Sequence, residues 1–147
     1  MGLDRMPDMP DRISVRSDRA ELPRLLAWVR ERIASRGLEG RRAMILELAA
    51  EELGLNAMTH GRTADREGSI ECSIEAIDDR GSLRLVIEDD GPPFDPTSLE
   101  APDVDAPLEA REVGGLGLHL IRSMATLRHE RVDDRNRVEV LIATETP

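Results

Sequence analysis

"SLRLVIEDDGPPFDP", residues Ser82 to Pro96, changes character halfway along. In its first half Leu83, Leu85, Ile87 and Asp89 share one parity, so a strand here turns all four side chains to the same face. If that face is the covered one, Asp89 is a carboxylate away from water and must find a donor. Glu88 and Asp90 belong to solvent or to the strand edge. The second half cannot extend the strand, because Pro92, Pro93 and Pro96 lack a ladder N–H and restrict the backbone. Gly91 leaves the backbone approachable, and Phe94, the one phenylalanine of the chain, stands among the prolines as an apolar pin. Together these residues read as a pocket floor joined to a hinge.

The flanking segments supply the rest of the layers. "SIECSIEAI" (Ser69 to Ile77) also alternates, and the "DDRG" that follows, with Gly81, favours a short hairpin into Ser82. Two helical segments precede it. From Arg19 to Arg36, Leu22, Leu25, Leu26, Val29 and Ile33 recur at helical spacing, with Ser17 or Asp18 to cap the start and Gly37 to close the end. "GRRAMILELAAEELGLNAMTHG" (Gly40 to Gly61) carries two apolar stripes, one of Ile45, Leu48 and Ala49, the other of Leu46, Ala50, Leu53 and Ala57. A helix covered on both sides lies inside the stack, so its polar members need a reason. Glu52, Asn56 and His60 share one face at i, i+4 and i+8. Gly54, about 1 kcal/mol worse than alanine in a helix interior, points to a close approach to the backbone.

"RISVRS" (Arg12 to Ser17) reads as an edge strand, and residues 1 to 11 as a loose tail. Beyond the hinge, Pro92 to Glu112 has no periodicity, and a structureless connection of about twenty residues is a lid, a binding loop or disorder. "GGLGLHLIRSMATL" (Gly114 to Leu127) then starts a third helix, and "RHERV" and "RVEVLIAT" are strands joined by "DDRN". The order β-α-α-β-β-loop-α-β-β predicts an α/β two-layer sandwich, a mixed, mainly antiparallel sheet with helices on one face, in a single domain over residues 12 to 147.

Composition narrows the function. Twenty basic against thirty acidic residues give a formal charge of -10, which argues against binding a nucleic-acid backbone and leaves room for a basic protein partner. One Trp, one Phe and no Tyr make no stacking platform for single strands. No apolar run is long enough for a bilayer and no charged-then-apolar leader opens the chain, so the expectation is a cytoplasmic protein without membrane contact. Cys72, in an alternating run, reads as a core residue of a reducing compartment.

"GGLG" alone is ambiguous: Gly114, Gly115 and Gly117 suit an anion cradle at a helix start or simply a tight loop. Neither the P-loop nor the dinucleotide pattern is met. Combined with the other two segments it suggests a nucleotide. Asp89 can accept the exocyclic amine of adenine while Gly91 lets the ring approach. Asn56 offers a neutral oxygen for Mg²⁺, and Glu52, one turn away, can accept a hydroxyl proton. Glu51 is rotated roughly 100° from Glu52 and lies off the Asn56 face.

"EELGLNAMTHG", "EDDGPPFDP" and "GGLGLHLI", in this order, resemble the N-box, G1 box and G2 box of the GHKL ATPase superfamily, and within it the bacterial anti-sigma-factor serine/threonine kinases. The resemblance runs from Arg12 to Thr144 and implies the Bergerat fold. It implies Asn56 as Mg²⁺ ligand, Glu52 as the base that activates a serine or threonine of the partner, and Asp89 as adenine anchor beside Gly91, Pro93 and Phe94. Gly114, Gly115, Leu116, Gly117 and Leu118 would line the phosphates, and Asp95 to Val113 would form the ATP lid. Arg111 either reaches the γ-phosphate or pairs with an acidic neighbour, and His60 either supports the helix end or touches nucleotide or partner. The implied ligands are ATP or ADP with Mg²⁺. The implied partners are a sigma factor, a STAS-domain anti-anti-sigma protein that is phosphorylated, and a second copy in a homodimer. The alternative is a non-catalytic nucleotide-binding module that only sequesters the sigma factor. A sensor histidine kinase is disfavoured by the Pro-Pro-Phe ending of the G1 box and by the lack of room for a helical dimerisation domain.

Overall fold

Alternation in five short segments and 3.6-residue periodicity in three longer ones sort the apolar side chains into one sheet face and three helix stripes that can cover it. The computed structural model describes residues 11–60, 67–98 and 115–143. Strand β1 (Asp11–Arg16) leads through a 3-10 turn (Arg19–Glu21) to helices α1 (Leu22–Ser35) and α2 (Gly40–His60). Strands β2 (Ser69–Ala76) and β3 (Leu83–Asp89) follow, then a 3-10 turn at Pro96–Ser98, helix α3 (Gly115–Met124), and strands β4 (Thr126–Val132) and β5 (Arg135–Ile142). The sheet order is β1-β2-β3-β5-β4, and every described pairing is antiparallel. The helices pack on one face, as the alternation required. No helix among the described residues is long and apolar enough to cross a membrane.

The core follows from the two periodicities. Ile70, Cys72 and Ile74 of β2, Leu85 and Ile87 of β3 and Val138 and Val140 of β5 point to the helices, which return Leu25, Val29 and Ile33 from α1 and Ile45, Leu46, Ala49, Ala50 and Leu53 from α2. Helix α2 is the central one, packed against α1, α3 and the sheet. At Gly54 a Cβ would lie 3.0 Å from Leu25 Cδ2 and 3.5 Å from Leu22 Cδ1, so the close approach inferred for this glycine is that of α1. Asp18 rather than Ser17 caps the first turn, accepting from the Ala20 amide at 3.0 Å.

Several boundaries differ from expectation: Asp11, read as part of the tail, opens β1 opposite Ile74, and the end of α3 and the last turn also shift. The third helix ends at Met124, and Leu127 belongs to β4, opposite Val140. The turn expected over four residues needs only two: Asp133 and Asp134 both adopt positive φ (49° and 63°), and Arg135 and Asn136 join β5. A two-residue turn with both residues left-handed matches the twist of the flanking strands, and aspartate tolerates that conformation better than most residues.

The open sheet face is an ion-pair lattice. Arg137 meets Glu88 at 2.7 Å and Glu139 at 2.9 Å, and Arg84 meets Glu75 at 2.6 Å, on either side of the buried Val86. Glu88 therefore does sit on the uncovered side, paired with arginines rather than only hydrated.

Candidate functional site

The covered face of the sheet ends in two polar side chains at the C-terminal end of β3. Asp89, 9% exposed, follows Ile87 in the inward parity, and its cross-strand partner is Asn136, 2% exposed. Asn136 Nδ2 donates to Asp89 Oδ1 at 3.1 Å and to the Pro92 carbonyl at 2.8 Å, while its Oδ1 accepts from the Phe94 amide at 3.1 Å. The Gly91 amide donates to Asp89 Oδ1 at 3.0 Å, and Arg131 donates to the Gly91 carbonyl at 2.8 Å. One amide and one guanidinium thus hold the whole turn against the sheet. Among the described residues nothing donates to Asp89 Oδ2, which leaves an acceptor for a ligand. Burial raises the Asp89 carboxyl above its ordinary value, and the bonds from Asn136 and Gly91 offset this only in part.

Helix α2 makes the facing wall. Leu53, Asn56, Ala57 and His60 line a cleft whose floor is Ile87, Asp89, Asn136 and Val138 and whose outer side is Phe94 and Pro96. Asn56 Nδ2 is buried and has no hydrogen-bond partner among the described residues. A buried amide nitrogen without an acceptor costs about 1–3 kcal/mol, so it marks a place where something else completes the structure. The His60 and Phe94 rings stack with centroids 4.0 Å apart and planes 16° from parallel, closing the cleft between the end of α2 and the hinge. Glu52, one turn before Asn56, is half-buried; burial, then the neighbouring Glu51, raises its carboxyl above the usual range. Its side chain lies against Gly117 in the first turn of α3.

Asp95 begins the segment after the hinge. It accepts from the Thr97 amide at 2.8 Å and hydroxyl at 2.5 Å, capping the Pro96–Ser98 turn, with His129 Nδ1 3.6 Å away. Partial burial pushes this carboxyl up, but the Thr97 bonds, His129 and Arg122 outweigh it and hold it below its ordinary value. Arg122 of α3 donates to the carbonyls of Pro96 and Thr97.

The same elements are matched by comparison with known proteins. Residues 15–142 match the histidine kinase-like ATPase domain. The chain belongs to that family. It is also similar to the serine/threonine-protein kinase BtrW of Bordetella bronchiseptica, with 31% identity over 115 residues, 77% of this chain and 79% of BtrW. In this histidine kinase-like ATPase domain the matched span runs from Val15 in β1 to the end of β5 and so includes every wall of the cleft.

Of the residues singled out from sequence, Asn56, Asp89 and Phe94 meet in one cleft, Gly91 is bonded to Asp89, and Glu52 adjoins Asn56 on α2. Pro93 is exposed and is not among the cleft-lining residues, and Leu118 turns into the core at 3% exposure. Gly115 opens α3 and Gly117 faces Glu52. Arg111, Gly114, the side chain of Leu116, most of the expected lid and residues 1–10 lie outside the described residues. Sequence reasoning missed Asn136 and Arg131. The signal for Asn136 was there: in "RNRVEVLI" it shares the inward parity of Val138 and Val140, the same argument that picked out Asp89.

Proposed function

We propose that this chain is an ATP-dependent anti-sigma regulator that phosphorylates a serine or threonine of a STAS-type anti-anti-sigma partner and holds a sigma factor. The observation that carries the reading is the pairing of Glu52 and Asn56 on one turn of α2, across the cleft from the buried Asp89. Membership of the histidine kinase-like ATPase family supports the nucleotide, and the similarity to a protein named as a serine/threonine kinase supports the acceptor.

In this reading Asp89 Oδ2 accepts the adenine amine while Gly91 and Phe94 border the base. Asn136 holds Asp89 and the Gly91–Phe94 turn in place. The Oδ1 of Asn56 offers a neutral oxygen that suits Mg²⁺, while its unpartnered Nδ2 would donate to a phosphate oxygen. No group of three His, Cys, Asp or Glu side chains gathers among the described residues, so Asn56 Oδ1 would share the ion with phosphate oxygens and water. Mg²⁺ there would neutralise charge on the transferring phosphoryl group. Glu52 takes the proton of the attacking hydroxyl, and its raised carboxyl makes it a stronger base than an exposed glutamate.

Glu52→Ala is the test. Phosphoryl transfer from ATP to a STAS-domain protein of the same genome should fall by about 10²–10⁴-fold, while ADP affinity by calorimetry changes little. Wild-type transfer should also decline as pH falls through the raised Glu52 value, because the protonated acid cannot act as base. Transfer at the wild-type rate in the variant rejects the base assignment. ADP binding with no transfer in the wild-type protein leaves the sequestration module.

A further inference from the structure

Gly117 has a second neighbour besides any ligand. A Cβ built on it would stand 2.7 Å from Glu52 Cγ and 2.5 Å from Glu52 Cδ, closer than real side chains approach. Its backbone is not in the left-handed region, so conformation does not require glycine, and alanine is the better helix former. The contact does. Neither helix can retreat: Leu118 and Ile121 fix α3 in the core at 3% and 0% exposure, and Ala49 and Leu53 fix α2 at 0% and 3%.

We propose that Gly117 is a positioning residue for Glu52, its bare Cα forming the seat that holds the carboxylate beside Asn56. The proposal rests on the reading of Glu52 as the base. It assigns Gly117 a role distinct from cradling phosphates, since the group it contacts belongs to the protein. What must yield to any larger residue is the free end of a glutamate, not the backbone, so Gly117→Ala keeps the fold and moves the carboxylate. Burial, then the neighbouring Glu51, raises the Glu52 carboxyl, and a carboxylate pushed off this seat toward water would lose part of that burial.

The experiment compares wild-type protein, Gly117→Ala and Gly117→Ala with Glu52→Asp, whose shorter side chain clears the new methyl. Gly117→Ala should lose about 10²-fold in the rate of transfer to the STAS-domain acceptor, keep its calorimetric affinity for ADP with Mg²⁺ within about threefold, and recover part of the rate when Glu52 is shortened. Transfer at the wild-type rate, or a loss of ADP affinity as large as the loss of rate, overturns the proposal; the second result assigns Gly117 to the phosphates. If Gly117→Ala fails to fold and shortening Glu52 does not restore it, the contact is not the cause and the proposal also falls. Should the wild-type protein transfer nothing, the kinase reading fails separately, and ¹³C-carboxyl titration of Glu52, assigned with Glu52→Gln, still decides the seat. A midpoint that moves toward the ordinary glutamate range in Gly117→Ala supports it, and an unmoved midpoint refutes it.

Discussion

Asp89 is held by an amide and a backbone N–H that would serve an asparagine equally well, and it is buried enough that ionisation is penalised. Its folded-state value lies above its unfolded one, so the native protein binds the proton more tightly and loses stability as pH rises through that interval. At neutral pH the ionised group is therefore a net cost to the fold. Asp89→Asn should raise the melting temperature at pH 7 and flatten its pH dependence, yet weaken ADP binding about ten- to hundred-fold through loss of a charged acceptor. A variant that gains stability and keeps its affinity would remove Asp89 from base recognition. At this scale the sequence was informative wherever parity applied: strand alternation alone turned Asp89 inward, and the same rule applied to "RNRVEVLI" reaches Asn136. The stacking of His60 on Phe94 had no such signature, because it joins the ends of two elements 34 positions apart through tertiary packing.

Helix α2 lines the cleft with one face and meets α1 with another, with Gly54 at the crossing. A β-branched residue there must displace Leu25, which is fully buried and has nowhere to go. Gly54→Val should cost about 1–3 kcal/mol by overpacking, measured as a lower urea midpoint with unchanged slope. Loss of stability should bring loss of nucleotide affinity with it, since α1 braces the helix that bears Glu52 and Asn56. Element boundaries were legible where glycines or polar loops punctuate the chain, as at both ends of α2. They were not at the end of α3, where "MATL" prolongs the helical apolar pattern and only the pairing of Leu127 with Val140 ends it.

Across the whole molecule, the two faces of the sheet solve different problems. The covered face buries an aliphatic core that contains no aromatic residue, while the open face turns a dense row of charges into a lattice centred on Arg137, which meets Glu88, Glu139 and, at 3.6 Å, Glu130. Burial by itself lowers the basicity of this guanidinium, but Glu139 and Glu88 more than compensate. Arg137→Ala removes the cation shared by three carboxylates, leaving Glu88 only Arg135 and Glu139 only Arg84 among the described residues, in a protein of net charge -10. Its cost, about 0.5–1 kcal/mol in dilute buffer, should shrink at 1 M NaCl as screening relieves the repulsion. An equal loss at both salt concentrations would assign Arg137 a packing role instead. Layer order, strand number and the covered face were all legible in the periodicities, but this cross-strand lattice depends on which strands are neighbours and on the exact register, of which alternation fixes only the parity.

Cys72, fully buried in β2 between Ile13 of β1 and Ile87 of β3, is the only thiol in the chain. Burial also suppresses its ionisation. It is thus a built-in clock: a thiol-reactive dye can reach it only when the helix layer parts from this side of the sheet, so at saturating dye the labelling rate counts opening events. With that background silent, one cysteine added at the rim of the cleft could carry a reporter without competition from the native residue.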